Sequence, residues 1–113
     1  MFTTIWMMKR KPGLSREEFV ADYETVHKVM GETVLKPIAR RYVRRYFTRL
    51  DDAAAEPVFD VMTEVAFDDR AAYEQALVGL RSEAMLADFM RIFDPDSVVQ
   101  YQVEEHASEL SPA

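Results

Sequence analysis

The chain holds two histidines, and one of them, His27, lies inside DYETVHKVM, residues 22 to 30. Imidazole is the side chain whose ordinary pKa, about 6.5, lets it give and take protons near neutrality. Its place along the chain decides whether it can do so. Ser15 and Glu18 form S-x-x-E, a capping box that opens a helix. Phe19, Tyr23, Val26 and Met30 then fall on one stripe at the roughly 3.6-residue period of a helix, while Glu17, Glu24 and Lys28 face solvent. His27 sits at the edge of that stripe, one turn after Tyr23, and should point into the crevice between this helix and a sheet. Two readings stand side by side. His27 is a proton carrier in a pocket, or a core residue whose nitrogens are satisfied by a nearby carbonyl.

Aromatic residues are well placed around such a crevice: Trp6 and Tyr42 from strands, Tyr23 from the same helix, Tyr73 and Phe89 from later helices. An aromatic lining with a few polar groups suits a flat hydrophobic ligand, although the same spacings also suit plain core packing. Thr63 adds a hydroxyl on the helix-facing side of a strand. In this arrangement His27 removes a proton next to a carbonyl and Tyr42 donates a hydrogen bond to the developing enolate. Asp60 and Glu64 alternate on the opposite face of the third strand. They form a second candidate site, or they pair with the arginines of the neighbouring strand. His106 reads as solvated or structural, because no Cys or His stands at metal-ligand spacing from it. Neither a metal nor a cofactor is expected.

The composition narrows the classes. At 113 residues the chain is one domain, large enough to bury about two-thirds of its unfolded surface. Apolar residues make up 49% and charged residues 30%, the balance of an ordinary globular protein. A net charge of −6 argues against general nucleic-acid binding, which needs a basic footprint. Without cysteine there is no disulfide, thiolate metal site or thiol nucleophile. MFTTIWMMKRKP does not read as a signal peptide, and no run approaches the roughly 18 apolar residues of a membrane span. A cytoplasmic protein is the default expectation.

The elements that must position these residues follow in order. Residues 2 to 9 are extended, with Phe2, Thr4, Trp6 and Met8 on one face and Thr3, Ile5 and Met7 on the other. Pro12-Gly13 breaks the strand before the first helix. A second strand over about residues 39 to 50 carries Arg40, Arg41, Arg44, Arg45 and Arg49. That density of cations suits an edge strand, with a nucleic-acid patch as the rival reading. VFDVMTEVAF makes a central third strand whose face is Phe59, Val61, Thr63, Val65 and Phe67. Asp68 or Asp69 caps a helix with Tyr73, Ala76, Leu77 and Leu80 inward. Another helix starts near Glu83 with Met85, Leu86, Phe89 and Phe93 inward, and Asp94-Pro95 ends it. VVQYQVE is the last strand, and residues 107–113 read as a flexible tail after a single domain over 1–106.

The order β-α-β-β-α-α-β elaborates the ferredoxin-like βαββαβ plan, an α+β fold with a four-stranded antiparallel sheet. The first and third strands are expected to be central, and parallel to each other, with the helices on one face. The first strand is apolar on both faces, so something must cover the side without helices. A second copy of the sheet across a two-fold axis is the simplest cover, which predicts a homodimer.

KRKPGLSREEFVADYETVHKVM resembles the opening signature of the EthD family, within the dimeric α+β barrel group. TEVAFDD and ADFMRIFDPDSVVQYQVEEH are similar to that family's later stretches, so the resemblance runs from about Thr4 to His106. It implies a dimer that closes into an α+β barrel. Relatives in that group include muconolactone isomerases, polyketide cyclases, dehydratases and decarboxylases, cofactor-free monooxygenases and haem enzymes, and fold alone does not choose among them. One sub-type, the methylmuconolactone methylisomerases, carries a histidine and a tyrosine that match His27 and Tyr42. Its cysteine corresponds to Val65 here, so a thiol mechanism does not carry over. A haem-ligand role for His27 is disfavoured, since the haem-binding relatives are longer chains.

The resulting expectation is a cofactor-free enzyme that moves protons in a small aromatic, lactone or polyketide-like compound. The reaction is an isomerisation, cyclisation, dehydration or decarboxylation. The alternatives are cofactor-independent oxygenation of a phenol, with Trp6 or Tyr42 tuning reactivity, and a non-catalytic ligand-binding or accessory protein of a catabolic pathway.

Overall fold

The computed structural model describes residues 1–111; the last two residues of the expected flexible tail lie outside it. Strand β1 (Phe2–Met8) leads through a loop to α1 (Arg16–Asp22), a π-helical turn (Tyr23–His27) and α2 (Lys28–Leu35), which follow one another without a break. Then come β2 (Ala39–Tyr46), β3 (Val61–Phe67), α3 (Arg70–Leu80), α4 (Glu83–Ile92), a 3₁₀ turn (Pro95–Ser97) and β4 (Val99–Val103). The four strands lie in the order β2-β3-β1-β4 with every neighbouring pair antiparallel. This is the α+β ferredoxin-like architecture, with the arginine-rich β2 at an edge. Among the described residues no helix is long and apolar enough to cross a membrane.

One expectation about the sheet is corrected. β1 and β3 are both central, but they run antiparallel, pairing from Phe2 opposite Phe67 to Met8 opposite Val61. The helical crossover makes β1 parallel to β2, not to β3. The return loop from β2 then reverses the chain, and β3 slots between the two. β2 and β3 are also shorter than expected. Regular pairing ends at Tyr46 opposite Val61, and two last bonds lie just beyond it, from the Asp60 amide to the Met8 carbonyl and from the Phe47 amide to the Asp60 carbonyl.

The first helix starts as its capping box requires: Ser15 accepts the Glu18 amide at 3.1 Å while Glu18 accepts the Ser15 amide at 3.1 Å. Its buried face differs from the expected stripe. Val26 is exposed and Met30 half-buried, whereas Phe19, Tyr23, His27, Gly31 and Leu35 are buried, one every four residues. In an α-helix, which turns about 100° per residue, such a row drifts sideways by about 40° at each step. The π turn, in which the Lys28 amide reaches the Tyr23 carbonyl five residues back, holds an extra residue and takes back part of that drift. His27 therefore lies in the middle of the buried row.

Two apolar clusters fill the space between helices and sheet. One gathers around Phe19, Tyr23, Ile92 and Phe93, the other around Leu35, Val65, Phe67 and Ala76. Trp6 and Tyr42, both half-buried, pack against both clusters and mark the seam between them. Among the described residues no helix covers the opposite face of the sheet. Ile5 stands between Glu64 and Tyr101 on it, with Met7 beside Met62 and Val99.

α2 and α3 meet where Gly79 faces Val34: a methyl group at Gly79 would lie 2.7 Å from Val34 Cγ1. Alanine normally improves a helix by up to about 1 kcal/mol over glycine. Here Gly79→Ala should instead lower the thermal midpoint, because a β-branched side chain in a helix cannot turn aside. Combining it with Val34→Ala should remove that penalty, so that the two changes are non-additive in thermal unfolding.

Candidate active site

The seam between the clusters opens into a crevice of about 180 Å³. Its floor is the sheet, through Trp6, Tyr42, Thr63 and Val65, and its walls come from the first helical rod and from α3 and α4. Tyr23, His27 and Phe89 line it as well. Six of the residues singled out from sequence thus converge on one space. Tyr73 does not reach it. It stands in the first turns of α3, over the start of β1, packed on Phe2 and Phe67 with ring centroids 5.1 and 5.7 Å away. Its hydroxyl accepts a hydrogen bond at 2.8 Å from Gln100, which does line the crevice.

His27 is 8% exposed and is held on three sides. The Tyr23 and Phe93 rings meet it edge-on, each with its centroid 5.2 Å away. Nδ1 lies 2.8 Å from Oδ2 of Asp88 on α4. An ionised carboxylate can only accept, so Nδ1–H donates this hydrogen bond to Asp88 and the lone pair of the neutral imidazole lies on Nε2. Among the described residues no side chain hydrogen-bonds Nε2, and no buried polar side-chain atom is left unpaired. Nε2 accordingly opens onto the crevice.

Asp88 is fixed in turn. Arg91 Nε donates to its Oδ1 at 2.9 Å, and Nη2 of the same guanidinium donates to Asp22 at 2.6 Å. This chain ties α4 to α1 and fixes where the imidazole can stand. Burial lowers the His27 pKa below its usual value, with Asp88 acting against that and Arg91 adding to it. The imidazole is neutral at neutral pH, the form a general base needs.

Deeper in the crevice three hydroxyls form a row. Tyr42 donates to the Tyr23 oxygen at 3.2 Å, and Tyr23 and Thr63 are bonded at 2.7 Å. Burial pushes both tyrosine pKa values up, so these groups stay protonated and act as donors. Tyr42 was read as aimed at a substrate; in this structure its proton is directed to Tyr23. Arg44 lies 4.7 Å over the Tyr42 ring. Gly31 explains how the ring comes so near α2, since a Cβ there would sit 3.1 Å from the Tyr42 hydroxyl.

The second candidate pair separates. Glu64 lies on the open face of the sheet, 3.1 Å from Arg41 and 3.3 Å from Arg45 of the neighbouring strand. Asp60 does not join it, because it precedes β3 and turns to Arg10, accepting from the Arg10 amide at 2.8 Å and from Nη1 at 2.6 Å. Glu24, expected in solvent, receives two bonds from Arg44, at 3.0 and 2.8 Å, and one from the Tyr46 hydroxyl at 2.6 Å. His106 is exposed and bonds Glu104 at 2.6 Å. Asp88 was missed by reading the sequence as a row of elements. It neighbours the inward Phe89, but nothing local pairs it with a histidine 61 positions away.

Because burial lowers the His27 pKa, the unfolded chain binds its proton more readily than the folded one. Stability from this group is present above the unfolded value of about 6.5 and falls as pH drops below it. Thermal midpoints measured from pH 7.5 to 5 should therefore fall more steeply for the wild type than for His27→Gln. Parallel curves would remove the burial cost assigned to this residue.

No protein-family model matches the chain, and no curated protein does. Solved structures do match. An ethyl tert-butyl ether D (EthD) family protein from Bacillus halodurans superposes with a TM-score of 0.65 at 20% identity, over 94% of this chain and 100% of the other. HapK from Hahella chejuensis gives 0.63 at 16% identity, covering both chains fully. The hydroxynitrile lyase of Passiflora edulis gives 0.50 at 16% identity, over 95% of this chain and 96% of that one. At these identities the likeness is one of fold: the chain has the ferredoxin-like fold of an EthD family protein, as its sequence motifs suggest.

Proposed function

We propose that the crevice is the active site of a cofactor-free enzyme that moves protons in a small aromatic, lactone or polyketide-like molecule. One observation carries this reading: a buried, neutral histidine whose Nδ1 is held by Asp88 and whose Nε2 opens onto an apolar crevice. Nε2 takes a proton from the carbon next to a carbonyl. The C–H electron pair moves into the carbon framework and leaves negative charge on the carbonyl oxygen. The Tyr42 hydroxyl, turning from Tyr23, donates to that oxygen. Return of the proton to a different carbon completes an isomerisation. Expulsion of a hydroxide, protonated by the imidazolium, completes a dehydration.

Asp88 is a positioning residue in this scheme. It selects the tautomer, while burial, helped by Arg91, keeps the imidazole neutral at rest. That a hydroxynitrile lyase shares the fold is compatible with a site built for removing or returning protons.

The reading is tested by exchange of carbon-bound hydrogen from heavy water into a panel of enolisable aryl ketones and unsaturated lactones. Wild type should exchange at least one member, and His27→Gln should lose about a hundredfold or more. Asp88→Asn should lose less. The rate should fall in acid with a midpoint below about 6.5, the value for a free imidazole. Equal exchange by wild type and His27→Gln removes the assignment.

We also propose that two copies pair through the helix-free face of the sheet. Ile5, Met7 and Met62 form an apolar strip there, and Tyr101 is 55% exposed. Met62→Glu should turn a dimer into a monomer in light scattering, while the far-ultraviolet dichroism stays unchanged. A wild type that is monomeric at micromolar concentration counts against this pairing.

A further inference from the structure

We infer that the crevice selects ligands that carry a carboxylate, and that Arg81 is the residue that receives it. This rests on the crevice being a small-molecule site, and it names the chemical class that the site takes.

The chain has ten arginines. Eight of them hold carboxylates in ion pairs: Arg10, Arg40, Arg41 and Arg44, then Arg45, Arg49, Arg70 and Arg91. Arg16 donates to Thr48 at 3.2 Å. Arg81 is left without a side-chain partner among the described residues, in a chain that carries 20 acidic residues and a net charge of −6. Among the described residues it is also the one permanently charged residue that lines the crevice; the remainder of the lining is apolar, aromatic or neutral polar.

Its backbone is fixed. The Arg81 amide bonds the Leu77 carbonyl at 2.9 Å where α3 ends, and Ser82 caps α4 by accepting from Met85 at 3.2 Å. Arg81 is exposed and lines the crevice, whose floor holds Trp6 and Tyr42. A flat molecule lodged by its apolar body would present an acidic end to this cation. Arginine offers a planar fork that matches a carboxylate with two parallel hydrogen bonds. The same anchor would fix which carbon faces His27.

Trp6 is the only tryptophan of the chain and lines the crevice, so its fluorescence reports occupancy of this space. The probes are 2-naphthoate and 2-naphthamide, which share shape and differ in charge. Titrations of both, by Trp6 quenching and by calorimetry, should show naphthoate binding about tenfold more tightly, as one charge-assisted contact would give. Arg81→Gln should abolish that preference and leave naphthamide binding unchanged, while Arg81→Lys should retain part of it. Raising the salt concentration should weaken naphthoate alone.

Equal binding of the two probes by wild type overturns the role of Arg81 while leaving the crevice a binding site. So does a preference that survives in Arg81→Gln. Failure of both probes to bind or to quench Trp6 overturns this inference together with the crevice as a small-molecule site.

Discussion

The structure depends on the register at which one helical rod lies across the sheet. Every fourth residue from Phe19 to Leu35 is turned inward, and a single π turn keeps that row from winding off the sheet. Each position in the row has a distinct task. Phe19 and Tyr23 fill one cluster, and Leu35 fills the other. His27 stands between them at the crevice, and Gly31 leaves room for Tyr42. A shift of one residue would turn Val26 or Lys28 toward the sheet and carry the imidazole away from Asp88. Insertions of this kind in helices recur at functional sites, because they re-aim one turn without breaking the rod.

A second layer of control is electrostatic. Glu24 is gripped by Arg44 and Tyr46, which pins the rod to β2. Asp22 and Asp88 share Arg91, which pins it to α4. Exposed ion pairs contribute little stability on average, typically 0–1 kcal/mol each. Their value here is geometric: they hold the two walls of the crevice at a set spacing. Apart from these pairings the crevice is lined mostly by aliphatic and aromatic side chains, so the few polar groups inside it interact in a poorly screened environment.

The likeness to solved structures establishes the architecture and stops there. One fold supports many chemistries, and the distinction lies in which side chains the common sheet and helices present. Among the described residues they present an imidazole held through Nδ1 by a carboxylate, a row of three hydroxyls and one guanidinium without a side-chain partner. The bare side of the sheet is equally characteristic. It carries Glu64, 7% exposed, under Arg41 and Arg45, amid apolar neighbours such as Ile5 and Val43.

Much of this was legible in the residues themselves. The capping box at Ser15 set the helix start, the alternation in β1 and β3 marked central strands, and the arginines of β2 marked an edge. These are local signals, carried by a few neighbouring residues and the fixed periods of helix and strand. The crevice was partly legible for the same reason, since inward faces of adjacent elements must meet. Four features belonged to the tertiary structure alone. The direction of β3 relative to β1 depends on how the chain returns from β2. The place of His27 within its row depends on the π turn, which no periodicity reveals. Its pairing with Asp88, and the lack of a side-chain partner for Arg81 among the described residues, depend on which distant parts of the chain are brought together. Sequence spacing encodes which face a side chain occupies, but only packing decides what it meets there.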